Sequence, residues 1–327
     1  MRPNLARKWP IHNRAVTMSN AIKRLSMRDL EENRESFLSE LLTGLQECGF
    51  VILRDHVIDC PRREHAYHLL ERLFALPVET KLKYDSKDGG RRGYTAFGRE
   101  NAKGNPHTDL KEFWHVGQEL HRNSAYVEDY PDNVWPAEIP EFEAFFKSFY
   151  RDLESLGQKI LEALGEAMNL EPNFFRNMVT DGNSICRLLH YPATKHLDTQ
   201  HSMRAAAHAD INLLTLLVGA TDSGLELLDQ KGDWKPVVSS EDEIVLDTGD
   251  MMARLTNDVL PATVHRVVNP INQRRSRYSI PFFLHPHSKA SLECLPQCVG
   301  PDGSKYPPIT AGEFLEQRLI EIGLTKY

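Results

Sequence analysis

Apolar positions along this chain follow two regimes. In the first, Leu30, Phe37, Leu41 and Leu45 share one side of a helix that Ser26 and Asp29 are placed to cap. That helix runs to about Cys48, Gly49 is positioned to end it, and 50–53 follows as a strand. A second helix spans about 61–76. Phe142, Phe145, Phe149, Leu153, Leu156, Ile160 and Leu164 then recur at helical spacing over 141–170, an aromatic stripe that reads as core packed across a sheet. From Ile185 onward the second regime sets in, with short strands alternating with turns. The strands are predicted at 185–191, 206–217, 224–228, 234–238, 244–246, 250–255, 263–268 and 277–284, with a hairpin turn at 230–233 and a last helix over about 311–322. About eight short strands point to a mixed α and β fold. Its core is a double-stranded β-helix (jelly roll), two sheets with a site between them at the open end and helices flanking.

Composition narrows the class. The 327 residues can bury a substantial core, and no linker or repeat divides them. Residues 1–20 read as a disordered extension, 21–180 as an N-terminal helical and strand region, and 181–327 as the jelly-roll core with its C-terminal helix. The latter two form one structural unit in this reading. The extension carries Arg2, Arg7, Lys8 and Arg14, and Met18 reads as the more natural start; Trp9-Pro10 interrupts any amphipathic transit helix. A net charge of −7 argues against nucleic acid as a partner. No apolar stretch approaches the roughly 18 residues that span a bilayer. The expectation is a cytoplasmic protein with no membrane partner, acting on a small-molecule substrate, its oligomeric state unreadable. Five cysteines, Cys48, Cys60, Cys186, Cys294 and Cys298, are an odd number with no CxxC pair, as free thiols in a reducing compartment would be. Cys294 and Cys298 lack the second half of a zinc site.

The chemistry lies in three runs of the second regime. His208-Ala209-Asp210 opens one, His265 sits in a β-branched run, and Arg277-Tyr278-Ser279 opens another. Two histidines and one carboxylate are the ligand set of the non-haem iron facial triad, which leaves positions open for oxygen and an organic ligand. Residues i and i+2 of a strand face the same way, so His208 and Asp210 can share one ion. By the same alternation Arg277 and Ser279 share a face. There a planar guanidinium and a hydroxyl can grip a carboxylate. His-x-Asp alone is common; four polar groups in apolar strands would each cost energy to bury without a shared purpose. The set predicts an oxygen-activating enzyme. His107, His115, His121, His196, His201, His285 and His287 read as non-ligands, the last two lying past Arg277 in the same strand.

These residues resemble the isopenicillin N synthase-like branch of the iron(II)/2-oxoglutarate-dependent oxygenases, over about 22–323. Further similarity lies in 47–53, in Gly93-Tyr94 followed by 109–113, in 187–192, in Thr248-Gly249-Asp250-Met251 and in 307–314. The resemblance implies Fe2+ held by His208, Asp210 and His265, with O2 as oxidant. It also implies 2-oxoglutarate as cosubstrate, its distal carboxylate on Arg277 and Ser279, and Tyr191 and Arg187 as further pocket residues. Leu189-His190-Tyr191-Pro192 stands where many plant members have Asn-Tyr-Tyr-Pro, so one cosubstrate contact of those members is missing. The Gly- and Arg-rich loop over 86–106 would border the substrate, which makes Arg91, Arg92 and Tyr94 candidate contacts. The implied reaction hydroxylates, desaturates or cyclises a small organic molecule and releases succinate and CO2. Two other readings stay open: an iron oxidase of the isopenicillin N synthase kind that does not use 2-oxoglutarate, and a non-catalytic sensor on the same fold.

Overall fold

The computed structural model describes residues 22–85, 90–100, 108–195, 197, 202–270 and 274–321. The predicted extension over 1–20 lies outside them, as do His107, His196 and His201. In chain order the strands are β1 (Lys23–Ser26), β2 (Phe50–Arg54), β3 (Gly93–Thr95), β4 (Glu112–Gly117), β5 (Ile185–Tyr191), β6 (Ala205–His208), β7 (Leu214–Val218), β8 (Leu225–Leu228), β9 (Trp234–Pro236), β10 (Ile244–Thr248), β11 (His265–Val267) and β12 (Arg277–Leu284). The helices are α1 (Asp29–Glu32), α2 (Arg34–Cys48), α3 (Cys60–Phe74), α4 (Val78–Lys81), α5 (Phe142–Ala167), α6 (Phe174–Val179), α7 (Asp250–Leu255) and α8 (Ala311–Glu321). Eight strands form one sheet in the order β1-β2-β10-β7-β12-β5-β4-β3, and four form a second in the order β6-β11-β8-β9. This is the expected jelly roll.

The period of two along β12 separates core from site. Ile280, Phe282 and Leu284 point into the main core, where α5 crosses the large sheet. The crossing is close: a Cβ on Gly157 of α5 would sit 3.0 Å from Leu284 and 3.4 Å from Leu216. Phe142, Phe146, Phe149, Leu153, Leu156, Ile160 and Leu164 supply the buried stripe of α5, Phe145 of the predicted stripe being only partly buried against it. Burial of each such side chain contributes roughly 1.5–3 kcal/mol. Arg277, Ser279, Pro281 and Phe283 face the other way, into the crevice between the sheets. Two small apolar clusters flank that crevice, one around Phe113, Leu189 and Val267 and one around Phe50, Leu227 and Val245.

Four local readings of the sequence are corrected. The single helix from 29 to 48 is two, α1 and α2, broken at Asn33. Ser26 does not cap it: it lies in β1, its hydroxyl donating to Asp55 at 2.7 Å and accepting from the Arg28 N–H. The strand over 206–217 is also two. The chain leaves the small sheet after His208 and joins the large one at Leu214, because the carbonyls of 210–213 accept from Gly249, Asp250 and Met251 and not from a strand ladder. The run over 250–255 is the helix α7 and not a strand; Met251, Met252 and Leu255 bury one helical face, a spacing that a short apolar run leaves ambiguous. Finally, β1, β3 and β4 have no counterpart among the predicted strands. Lys111, Glu112 and His115 hide the alternation of β4, although all six of its residues are buried.

Gly49 ends α2 as predicted, with φ at 70° and its N–H on the Leu45 carbonyl. It also lets α2 approach the segment before β11. A Cβ there would meet the Thr263 hydroxyl at 2.6 Å, and Thr263 itself donates to the Cys48 carbonyl at 2.7 Å.

Candidate metal and cosubstrate centre

β6 and β11 pair so that His208 and His265 stand directly opposite each other. Asp210 follows β6 in the crossing between sheets. Its carbonyl accepts from the Asp250 N–H at the start of α7 at 2.7 Å, and a Cβ on Gly249 would meet that same carbonyl at 2.9 Å. Asp210 Oδ1 then lies 3.7 Å from His208 Nε2 and 3.8 Å from His265 Nε2. Among the described residues these three form the one group of His, Cys, Asp or Glu whose ligand atoms, within 4.8 Å of one another, are close enough to share an ion. His208 and Asp210 do not share a strand face as the i, i+2 spacing predicts: β6 ends at His208, and Asp210 lies in the irregular segment beyond it.

The hydrogen bonds around the triad fit an ion at its centre. His208 Nδ1 donates to the Ala206 carbonyl at 2.7 Å and His265 Nδ1 to the Thr263 carbonyl at 3.2 Å. A carbonyl can only accept, so the proton sits on Nδ1 and each Nε2 lone pair turns toward Asp210. Thr215 donates to Asp210 Oδ2 and accepts from Asn212 at 3.0 Å, which leaves Oδ1 for a ligand bond. Burial, and then the adjoining His265, holds His208 below the usual imidazole range. Burial pushes Asp210 up, but the two histidines and Thr215 outweigh it and the carboxyl is lowered. Asp247, paired with Thr215 across β10 and β7, is pushed the other way by burial and by the charge of Asp210. Nothing in the apolar runs around Asp247 or Thr215 marks them as neighbours of the triad; only the register does.

A narrow cavity of about 60 Å³ runs from the triad to β12. At its far end Arg277, 2% exposed, donates through Nε to the Asp222 carbonyl and through Nη1 to Ser279 at 3.1 Å. Nη2 has no partner among the described residues and is left for a carboxylate. The Tyr191 ring lies 5.0 Å from the Arg277 guanidinium, and β5 and β12 pair with Arg277 opposite Tyr191. Arg204, which no sequence pattern singles out, is fully buried alongside, bound to Asp222 and to the Arg275 carbonyl.

On the other side of the triad opens a larger cavity of about 700 Å³. Arg187 lines both. Its Nε donates to His115 at 2.6 Å, Nη1 pairs with Glu100 at 3.2 Å, and its guanidinium stacks 4.3 Å over the Phe113 ring. Lys111 joins this network through Asp109 at 2.9 Å and Glu100 at 3.4 Å. Burial raises the Glu100 carboxyl, but Arg187 and Lys111 outweigh it and hold it at about 2. Arg91 and Arg92 line the larger cavity, whereas Tyr94 does not: it turns into the core and donates to Glu112.

Residues 22–138 match the family described as non-haem dioxygenase in morphine synthesis N-terminal, and residues 182–286 match the 2OG-Fe(II) oxygenase superfamily. The 2-oxoglutarate-Fe(II) type oxidoreductase hxnY of Emericella nidulans is 30% identical over 82% of this chain and 79% of its own. A protein from Caulobacter crescentus assigned to the 2OG-Fe(II) oxygenase family superposes with a TM-score of 0.84 at 46% identity, covering 93% of this chain and all of that one. A full-length protein of Neurospora crassa, solved in complex with alpha-KG, gives 0.81 at 30% identity, covering 91% of this chain and 95% of its own. A further structure of that Neurospora protein holds thymine as well. The relatives named for 2-oxoglutarate decide against the oxidase and sensor readings. The chain belongs to the iron(II)/2-oxoglutarate-dependent oxygenases, and it is a dioxygenase that uses Fe2+, 2-oxoglutarate and O2.

Proposed function

We propose that His208, Asp210 and His265 hold the iron, that Arg277 and Ser279 hold the distal carboxylate of 2-oxoglutarate with Tyr191 against the guanidinium, and that a small organic substrate occupies the larger cavity. Bound iron supplies the activation of O2 that couples decarboxylation of 2-oxoglutarate to substrate oxidation. The protein supplies geometry. Nδ1–H bonds fix both imidazoles, Thr215 orients Asp210, and hydrogen bonds to Ser279 and the Asp222 carbonyl hold Arg277 in place. Arg187, clamped between Glu100, His115 and Phe113, forms the wall where the two cavities meet. The outcome on substrate is hydroxylation, desaturation or ring closure. We assign the protein to the cytoplasm, a reading supported by cysteines that are all free. Among the described residues no helix is long and apolar enough to cross a membrane. Residues 22–321 are read as one unit, since the large sheet takes strands from both halves.

The observation that carries the assignment of residues is the narrow cavity with an ion-ready triad at one end and an uncommitted guanidinium nitrogen at the other. Anaerobic titration of the Fe(II)-loaded protein with 2-oxoglutarate tests it. A saturable visible charge-transfer band that weakens in Arg277→Ala is expected. A band of equal affinity in that variant would sink the role given to Arg277.

A further inference from the structure

His285 continues the inward-facing row Arg277, Ser279, Pro281, Phe283 one step beyond the end of β12, and it lines the larger cavity. Its side chain is almost wholly enclosed, with the residue 6% exposed, yet its ring makes no hydrogen bond among the described residues. Nδ1 is sealed by protein, so Nε2 is the nitrogen left to the cavity. An N–H sealed without an acceptor is costly, which places the proton on Nε2, where a ligand can accept it.

The backbone around His285 is fixed. Its N–H donates to the Ser184 hydroxyl at 3.2 Å, and Leu213, three residues past Asp210, donates to the Leu284 carbonyl at 3.1 Å. A Cβ on Gly182 would lie 2.3 Å from the His285 carbonyl, so the segment before β5 presses directly on it. The neighbouring Asn183 donates its own N–H to the Pro286 carbonyl and also lines the cavity. Arg92 can only donate, and it approaches Asn183 Oδ1 at 3.5 Å; the Nδ2 group is therefore the free end of the amide.

We propose that His285 Nε2 and Asn183 Nδ2 form the substrate-recognition end of the larger cavity and donate to an uncharged carbonyl oxygen, that of a cyclic amide or a ketone. This rests on the reading that the substrate occupies this cavity beside the triad. The buried charges beside the triad are paired, Arg187 with Glu100 and Lys111 with Glu100 and Asp109, and Arg92 on the same wall is turned to the Arg91 carbonyl and to Asn183 Oδ1, so that His285 and Asn183 offer neutral donors. Burial holds His285 at about 4, which keeps it uncharged at neutral pH. Ile185, Ile211, Met251, Phe283 and Leu315 add apolar wall to the cavity, and about 700 Å³ suits a small organic molecule with a polar edge.

Three fragments of similar size separate the possibilities: acetophenone, benzoate and ethylbenzene. Their binding to the anaerobic full-length protein loaded with Fe(II) and 2-oxoglutarate would be measured by ligand-observed NMR. Acetophenone should bind about tenfold more tightly than ethylbenzene, the worth of one or two net hydrogen bonds. That preference should vanish in His285→Phe, shrink in Asn183→Leu and survive in part in His285→Gln, which keeps a donor. Equal binding of the two, no binding of any fragment, or a preference untouched in His285→Phe would overturn the proposal. Benzoate ahead of acetophenone would overturn its choice of an uncharged oxygen. The 2-oxoglutarate band is read in the same samples. Its persistence in His285→Phe separates a failure here from a failure of the cosubstrate assignment, which would remove the band from the unaltered protein.

Discussion

The inner face of β12 carries two recognition ends that differ in kind. At Arg277 a buried guanidinium bonded to Ser279 and to the Asp222 carbonyl stands in about 60 Å³ of space. At the other end the His285 ring is neutral and makes no hydrogen bond among the described residues, beside about 700 Å³. The first arrangement suits one invariable dicarboxylate: little reorganises on binding, and a charge-assisted hydrogen bond holds it. The second, on the proposal above, leaves the choice of substrate to uncharged donors and to the shape of the larger cavity. On the assignment proposed above, specificity is set at the His285 end of the strand.

The largest expected effect strikes the point that both ends share. Asp210→Ala or His265→Ala should lose bound iron and bring succinate formation to background; iron content together with succinate assay checks this, and iron retained at full stoichiometry would refute it. Arg277→Ala breaks one end alone. Iron should stay bound while the Kd for 2-oxoglutarate rises roughly 10- to 100-fold, as hydrogen bonds to charged groups are worth about 1.5–3 kcal/mol. Fragment binding in the larger cavity should be unmoved.

Thr215→Val removes the donor to Asp210 Oδ2 and should weaken iron binding about tenfold, measured by competition with a chelator. Smaller still is an effect on the stability of the iron-free protein. His285 is depressed to about 4 from 6.5, so folding favours its neutral form; that contribution is whole above about pH 6.5 and fades as the pH falls toward 4. Glu100 is depressed to about 2 from 4.5, so folding favours its ionised form, and that contribution fades between about 4.5 and 2. Urea midpoints followed from pH 8 to 3 should decline through the first window in the native sequence and less steeply in His285→Phe. Parallel declines would show that His285 is not the group responsible.

The site shows what a one-dimensional pattern resolves and what it misses. The alternation along β12 that put Arg277 and Ser279 on one face also puts Phe283 and His285 there, so the signal for His285 is present in the sequence. Its distance from the iron ligands argues only against ligation, and leaves contact with a substrate open. Glu100 and Lys111 carry no such signal: a carboxylate in a loop and a lysine before a strand look like solvated charge until the fold buries them together. Asp247 and Arg204 are hidden for the same reason, each needing a partner that lies far away in the chain.

The sequence by itself determined the residue types the chemistry needs, the order in which they occur, the buried stripe of α5 and the period-two faces of β5 and β12. Those are local consequences of side-chain direction in helices and strands. Only the tertiary structure decided that 206–217 breaks between sheets, that 250–255 coils into a helix, and that Asp210 reaches the histidines from the irregular segment after β6. The carbonyls of 210–213 took partners at 249–251 and not a strand ladder, while 250–255 closed local helical bonds after its first two N–H groups; no pattern of side chains records which partner a peptide group will take.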